Sequence, residues 1–182
     1  QIKFFRKCTS YIEYNGNKIN LSGYIILPLW YDSERIYGFQ ARSTTEKRFY
    51  TFVPEENHGW KVWNWFTINM NKPIYVFESY FDALSSGLDN VVAQLGATLS
   101  VDRIKEGEDF VFVLDNQFID PTAKKESIKY IKQGHKAMIW PRGIGYKDFN
   151  DILKDGGSPE KISRFIERNI DEGITAEVKL SV

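Results

Sequence analysis

Cysteine is almost absent from this chain, which has only Cys8 among its 182 residues. A single cysteine excludes a disulfide within the chain and a cysteine-rich zinc site. Long apolar stretches are missing too: no run approaches the roughly 20 residues that span a bilayer, and the first residues show no signal-peptide pattern. We therefore expect a soluble protein in a reducing compartment, by default the cytoplasm, with no membrane contact.

Histidine is scarce and net charge is zero. His58 and His135 are isolated in the sequence and offer neither a pair of metal ligands nor a paired base. The 24 Lys and Arg residues balance 24 Asp and Glu residues, which argues against a generally basic nucleic-acid-binding surface. Residues 1–72 hold 10 basic and 6 acidic residues, and residues 73–182 hold 14 and 18. This offset suits a nucleic-acid-binding lobe beside a metal site; the alternative is an ordinary mixed surface.

The first 72 residues predict a small β-rich lobe. Apolar, β-prone runs indicate strands at Tyr24–Trp30, Ile36–Ala41, Arg48–Val53 and Trp60–Phe66. Polar residues 31–35 predict a hairpin connection, and Pro54–Gly59 predicts a loop. Trp60, Trp63 and Trp65 fall within six residues, and we interpret them as core of this lobe. A stacking platform for a nucleic-acid base is the alternative for one of them.

From residue 73 the pattern changes to alternating strands and helices, which predicts a parallel α/β sheet. The predicted strands are Ile74–Phe77, Val91–Ala93, Phe110–Leu114 and Lys136–Trp140. The predicted helices are Phe81–Ser86, Val101–Lys105, Pro121–Gln133 and Pro159–Asp171. Asp120 and Ser158 each precede a proline and are predicted N-caps, while Gly134 and Gly173 are predicted C-terminal stops. We therefore expect three parts: a lobe over 1–72, the α/β domain over 73–157, and a C-terminal helix and tail over 158–182.

Carboxylates follow three of these strands. Glu78 comes directly after the first, Asp115 directly after Phe110–Leu114, and Asp148 a short loop after the fourth. The carboxyl ends of parallel strands meet at one edge of a sheet, where such sheets bind ligands. Oxygen ligands of this kind suit Mg²⁺, so the spacing predicts a phosphotransfer site that holds a divalent metal.

The order of these motifs resembles the Toprim domain of DnaG-type primases, topoisomerases and some nucleases. Glu78–Asp82 matches its E-G-x-x-D motif with Ser79 in place of glycine, and Asp115–Gln117 matches its D-x-D motif without the second acid. A third acidic cluster lies in Lys147–Asp151. The resemblance implies a catalytic and metal-binding role for Glu78 and metal-binding roles for Asp115 and Asp148.

Asp82 has two interpretations. It matches the motif aspartate, which implies a catalytic role, and it also stands near the start of a helix, where an acid is favoured electrostatically.

Ser79 and Gln117 depart from the Toprim motifs, which affects the backbone at position 79 and the binding of a second metal. If position 79 requires a positive φ, serine strains the backbone there, whereas glycine does not. Gln117 offers only a weak, uncharged ligand for a second metal.

A broader likeness covers most of the chain. The segments Ile26–Ser43, Leu114–Gln117, Lys147–Leu153, Ser158–Ile162 and Asn169–Gly173 resemble the primases of T-even-type bacteriophages. Those proteins carry a zinc-ribbon domain ahead of this region, and the present sequence has none. The resemblance implies synthesis of RNA primers on single-stranded DNA with Mg²⁺ (Mn²⁺ is an alternative), from ribonucleoside triphosphates, beside a replicative helicase. A phage-encoded protein of this kind works in the host cytoplasm.

Two basic residues in the first lobe complete the expected site. Arg42 lies in a G-F-Q-A-R segment that resembles a primase segment near template or nucleotide phosphates, and Lys61 resembles a triphosphate-binding lysine. Arginine suits bidentate phosphate binding, whereas lysine acts as a point charge. Arg48 is a weaker candidate, interpreted as a solvated strand residue. A Toprim-type nuclease needs no binding site for nucleotide triphosphates and remains an alternative. A degenerate Toprim module that only binds nucleic acid is a further alternative.

Overall fold

The computed structural model describes residues 6–7, 11–14, 16–46, 48–54, 61–95 and 109–181. Several predictions fall outside these residues: those on Cys8, His58, Trp60, most of the loop Pro54–Gly59 and the helix Val101–Lys105. Within the described ranges, no helix is both long enough and apolar enough to cross a membrane.

The first part of the chain forms two antiparallel sheets. Its strands are β1 (Arg6–Lys7), β2 (Tyr11–Tyr14), β3 (Asn17–Asn20), β4 (Tyr24–Trp30), β5 (Ile36–Ser43) and β6 (Phe49–Phe52). Four of them build one sheet in the order β1-β4-β5-β6, while β2 and β3 pair as a hairpin. The apolar runs of β4 and β5 form this sheet because β-branched and aromatic side chains pack well on a pleated surface. The predicted β-rich lobe is confirmed, although β1 to β3 were not expected.

A six-stranded sheet follows. It contains β7 (Val62–Trp63), β8 (Ile74–Phe77), β9 (Val91–Gln94), β10 (Phe110–Val113), β11 (Lys136–Met138) and β12 (Ile170–Asp171). The order is β12-β11-β10-β8-β9-β7, with the four inner strands parallel and the two outer ones antiparallel to their neighbours. Every residue of β9 and β10 is buried. Continuous burial is typical of parallel strands that are covered on both faces.

In the part of the chain that the structure describes, five α-helices flank this sheet. They are α1 (Tyr80–Ser85), α2 (Pro121–Lys132), α3 (Phe149–Lys154), α4 (Pro159–Arg168) and α5 (Gly173–Ser181). The predicted caps are confirmed: Asp120 accepts the N–H groups of Thr122 and Ala123, and Ser158 accepts that of Lys161. Gly134 has a φ of 87° just beyond α2, as a C-terminal stop requires.

The core of the molecule continues across both large sheets. Leu27 and Leu29 of β4 join Phe77, Val111 and other residues of the parallel sheet in one buried cluster. On the opposite face of the parallel sheet, alternate residues such as Val76 and Phe112 form a second cluster. The predicted fold class is therefore confirmed: a mostly parallel sheet flanked by helices, preceded by a small β-rich lobe.

Two element predictions were wrong. The strand predicted over Trp60–Phe66 covers only Val62–Trp63, because Asn64 adopts a φ of 68° and turns the chain into a 3-10 helix over Trp65–Thr67. The helix predicted over Pro159–Asp171 ends at Arg168.

Beyond Arg168 the backbone joins the sheet edge, where Met138 pairs with Ile170 and the Ile139 N–H donates to the Asn169 carbonyl at 2.8 Å. Gly173 was predicted as a stop and instead begins α5. The proposed three-part division stays a prediction, and the parallel sheet includes short strands from both sides of residues 73–157.

Candidate active site

Two of the predicted acids follow neighbouring parallel strands. Phe77 at the end of β8 is in register with Val113 at the end of β10. Glu78 and Asp115 therefore leave the same carboxyl edge of the sheet from adjacent strands. Asp148 reaches this edge as the residue before α3, which packs beside α1.

These acids line one open cavity of about 200 Å³. Its walls combine both sheets: β5 and β6 contribute from one side, and the strand ends and loops of the parallel sheet from the other. The lining residues are Gln40, Arg42, Phe49, Glu78, Ser79, Asp82, Leu95, Asp115, Lys147 and Asp148. The cavity thus brings together all four acids that the sequence analysis assigned to the site and one of its two basic residues.

The electrostatics of the cavity favour a bound cation. Burial, together with the charge of Glu78, raises the pKa of Asp115 to about 6. Glu78 lines the cavity and is exposed to solvent, and its pKa is raised by partial desolvation and by the nearby charge of Asp120. Four carboxylates face two cationic side chains there, so the fully ionised cavity has a formal charge of −2. An added cation would relieve the repulsion among the acids.

Asp82 joins two motifs through a buried carboxylate. The side chain is 6% exposed, and its Oδ1 accepts the N–H groups of Phe149 at 3.1 Å and Asn150 at 3.2 Å. The Ser79 hydroxyl donates to its other oxygen. Burial raises the pKa of Asp82 to about 6, with further raising from the charges of Asp148 and Asp115. This geometry fixes the start of α3 against the start of α1, and the catalytic assignment of Asp82 stays a prediction.

Asp148 is the N-cap of α3. Its Oδ1 accepts the N–H of Asp151 at 2.7 Å. One of its oxygens is thus occupied by the helix while the residue also lines the cavity. Its metal-binding role, like those of Glu78 and Asp115, stays a prediction.

The two departures from the motifs have structural explanations. Ser79 has a φ of −124° and caps α1, so this position has no need of glycine. Gln117 is 2% exposed: its amide donates to Ser127 Oγ and the Met138 carbonyl, and its Oε1 accepts the Trp140 N–H. The interpretation of Gln117 as a weak metal ligand was wrong, because the side chain is turned into the core and saturated with hydrogen bonds.

Lys147 was not predicted as an individual site residue. Its ammonium lies 3.3 Å from Asp115 Oδ2 and 3.1 Å from Asp120 Oδ2. These carboxylates raise the pKa of Lys147 well above its ordinary value, with the hydrogen bond to Asp120 as the largest cause. The only clue in the sequence was its place directly before Asp148, and that place does not reveal the distant partners.

The two basic candidates occupy different positions. Arg42 lines the cavity, and its guanidinium carbon lies 5.4 Å from the centre of the Phe81 ring. Lys61 precedes β7, and its carbonyl accepts the N–H of Leu95, a lining residue, at 2.8 Å. The Lys61 side chain itself does not line the cavity, and the phosphate-binding roles of both residues stay predictions.

The cavity fits one mode of metal binding. Among the described residues, no group of three or more His, Cys, Asp or Glu side chains is arranged to hold a metal ion. A closed protein cage for a metal is therefore not formed there. Mg²⁺, however, usually binds through one or two carboxylates and keeps several waters or substrate oxygens. Glu78 and Asp115, adjacent and mutually repelling, match that donor set.

A curated protein resembles the chain in sequence. It is the DNA primase of Enterobacteria phage T4, identical at 26% of 161 residues that cover 86% of this chain and 46% of the primase. The chain thus spans less than half the length of that relative. No family model matches the chain.

Solved structures resemble it in fold. A DNA primase domain from Pseudomonas aeruginosa has a TM-score of 0.65 at 16% identity, covering 88% of this chain and 56% of that one. The zinc-binding and RNA polymerase domains of the Aquifex aeolicus primase give 0.62 at 19%, covering 89% and 44%. A DnaG primase catalytic domain bound to single-stranded DNA gives 0.61 at 14%, covering 87% and 55%. The chain has the fold of a primase catalytic core. The predicted resemblance to DnaG-type and T-even-type primases is confirmed, and the carboxylate cavity lies within this primase-core fold.

Proposed function

We propose that the chain is the catalytic core of a DNA primase, which synthesises RNA primers on single-stranded DNA by metal-dependent nucleotidyl transfer. One observation carries the proposal: acids from three separate segments and an arginine from the other sheet line a single cavity at the carboxyl edge of the parallel sheet. The primase-core fold and the likeness to the phage T4 DNA primase support it.

The residues divide the work by their chemistry. Glu78 and Asp115 hold Mg²⁺, or Mn²⁺ in its place, with Asp148 as a third acid beside them. Bound there, the metal supplies positive charge that stabilises the reacting phosphate and lowers the pKa of an attacking hydroxyl. The resemblance to the Toprim motif also implies acid–base work for Glu78, which would accept the proton of the 3′-hydroxyl of the growing primer. Arg42 and Lys61 hold template or triphosphate oxygens.

The proposed partners follow from this reaction. Single-stranded DNA is supported by the DnaG catalytic domain whose structure was solved with it. Ribonucleoside triphosphates are the substrates of primer synthesis, and a replicative helicase is proposed only on the resemblance to T-even-type primases. If the protein is phage-encoded, its place of work is the host cytoplasm.

Primer synthesis on single-stranded DNA tests the proposal directly. The chain is incubated with template, four ribonucleotides of which one is labelled, and Mg²⁺ or Mn²⁺, and labelled oligoribonucleotides are resolved by size. We expect products that disappear without metal and in Glu78→Gln and Asp115→Asn. Lys136→Met is the matched control, because Lys136 pairs with Asp109 at the opposite, amino edge of the sheet.

A nuclease assay on the same DNA runs in parallel. Cutting that requires Glu78, without primer synthesis, would replace the primase by a Toprim-type nuclease. Binding of DNA with neither activity would favour a module that only binds nucleic acid. Ser79 gives no support to the latter interpretation, because its backbone adopts an ordinary extended conformation.

A further inference from the structure

Lys147 occupies a position inside the acidic cavity that the proposed reaction does not use. Its ammonium contacts two carboxylates from different segments, at 3.3 Å from Asp115 Oδ2 and 3.1 Å from Asp120 Oδ2. Asp115 has a side chain that is 13% exposed, so this ion pair is partly shielded from water. The ammonium therefore already neutralises the acid that we propose as a metal ligand.

The backbone holds Lys147 in this place. Asn116, which is fully buried, donates through its amide to the carbonyls of Ile144 at 3.1 Å and Tyr146 at 2.9 Å. The backbone N–H of Asn116 donates to the Lys147 carbonyl at 2.8 Å. These three bonds fasten the loop before Asp148 to the end of β10. The backbone at Lys147 is thus fixed close to Asp115.

Asp120 offers the ammonium a second position at no cost to its helix. Its Oδ1 accepts the N–H groups of Thr122 and Ala123, whereas its Oδ2 faces Lys147. Capping and ion pairing therefore use different oxygens. The ammonium can stay on Asp120 alone without disturbing α2.

We propose that Lys147 is an internal counter-ion that competes with a divalent metal for Asp115 and is retained by Asp120 when the metal binds. This inference rests on the metal-dependent function proposed above. A divalent ion and an ammonium repel each other at the same carboxylate, so each weakens the binding of the other there. In the absence of metal, the ammonium instead occupies the Asp115 carboxylate, at 3.3 Å from its Oδ2.

The inference predicts opposite effects for two substitutions on Mn²⁺ affinity, measured by electron paramagnetic resonance without nucleotide or DNA. Lys147→Met removes the competitor and should tighten binding roughly three- to tenfold. Asp120→Asn keeps a side-chain oxygen for the helix cap but weakens the second position. The ammonium then stays on Asp115, and binding should weaken about threefold.

The double variant separates retention from simple electrostatics. Asp120→Asn also removes a negative charge near the metal, which weakens binding by itself. Under our proposal, adding Asp120→Asn to Lys147→Met costs clearly less affinity than adding it to the wild type. Equal costs in the two backgrounds would overturn the role of Asp120 as the receiving group.

Two further variants control for charge. Arg42→Met removes a cation that lines the same cavity but has no ion pair with Asp115, so it should tighten Mn²⁺ binding less than Lys147→Met. Lys136→Met, at the opposite edge of the sheet, should leave the affinity unchanged. If Arg42→Met and Lys147→Met act equally, competition at Asp115 is wrong. If Lys147→Met does not fold by circular dichroism, Asp120→Asn still keeps the proposal falsifiable, since an unchanged affinity there contradicts it.

Primer synthesis by the wild type distinguishes this inference from the proposed function. Activity with Asp115-dependent Mn²⁺ binding, but no change in Lys147→Met and Asp120→Asn, refutes the counter-ion alone. Wild-type protein that neither binds Mn²⁺ nor makes primers refutes both.

Discussion

At the scale of single residues, Asp82 connects the first and third acidic motifs by hydrogen bonds alone. Its carboxylate is buried, accepts two N–H groups from the start of α3 and receives the Ser79 hydroxyl. Burial nonetheless dominates these bonds and raises the pKa of Asp82 to about 6 from 3.8. The folded protein therefore binds a proton more tightly at Asp82 than the unfolded chain does, and it loses stability as the pH rises between those two values.

This shift predicts a pH-dependent effect of Asp82→Asn. The amide keeps an oxygen for the N–H groups of Phe149 and Asn150 but cannot ionise. The wild type loses stability as Asp82 ionises, whereas the variant does not. The unfolding free energy of the variant minus that of the wild type should therefore be about 1 kcal/mol larger at pH 7.5 than at pH 5. Urea denaturation at both pH values measures the difference. Exposed Asp89→Asn is the control, and a stability difference between Asp82→Asn and the wild type that is independent of pH would contradict the prediction.

Gln117 shows why a motif position alone does not define a ligand. It stands where the second acid of the D-x-D motif belongs, yet its side chain bonds Ser127, Met138 and Trp140 in the core. The direction of a side chain in a loop after a strand depends on partners that are distant in sequence. Those partners cannot be found from the spacing of acids, whereas the positions of Glu78 and Asp115 could, because they follow directly from the strands.

Restoring the acid with Gln117→Glu should therefore damage the protein. The carboxylate loses the two donated hydrogen bonds and faces the Met138 carbonyl in a buried site. We expect a loss of at least about 2 kcal/mol in unfolding free energy and no gain in Mn²⁺ affinity. Thermal unfolding and metal titration measure the two effects, with Ser127→Ala as a milder comparison that removes one partner. A gain in metal affinity without destabilisation would show that position 117 can contribute a metal ligand.

At the scale of elements, predictability follows the strength of local boundary chemistry. Strand β8 was predicted with its observed bounds, and α2 with its cap, because apolar runs and a cap before proline are local features. The end of α4 was wrong because pairing with β11 captures Ile170–Asp171, a tertiary effect. Helix α3 has only six residues and depends on Asp82 and Asp148 at its start, so periodicity could not reveal it.

Asp148 both caps α3 and contributes a charge to the cavity, and two substitutions can separate these roles. Asp148→Asn keeps the cap, since asparagine is an equally good N-cap, and removes the charge in the cavity. We expect unchanged stability and strongly reduced primer synthesis. Asp148→Ala removes both and should cost about 1 kcal/mol more in unfolding free energy. Unfolding curves and primer assays on both variants give the comparison. Full activity in Asp148→Asn would assign the residue to the helix alone.

At the scale of the whole molecule, the cavity depends on contact between the two large sheets. The Tyr37 hydroxyl of β5 donates to the Val62 carbonyl at 2.7 Å, and β4 shares a core cluster with the parallel sheet. Arg42, which extends from β5, thereby lines the same cavity as Glu78 and Asp115. The charge pattern predicted a basic first half beside an acidic second half, and the fold places a basic residue of the first half beside acids of the second.

This arrangement predicts how the chain grips nucleic acid. If Arg42 and Lys61 bind phosphates, each alanine variant should weaken binding of single-stranded DNA or nucleotide while the fold survives. The slope of log affinity against log salt for single-stranded DNA should fall by about 0.7 for each phosphate that the variant no longer neutralises. Arg35→Ala is the matched control, because Arg35 lies in the same lobe and pairs with Asp32 at 2.5 Å.

Glu78→Gln should have a different effect from the Arg42 and Lys61 variants. It should bind with nearly unchanged affinity and lose synthesis by orders of magnitude, because its charge acts at the reacting phosphate. Normal binding and salt dependence in the Arg42 and Lys61 variants, together with DNA cutting that vanishes in Glu78→Gln, would reject the primase and favour the nuclease.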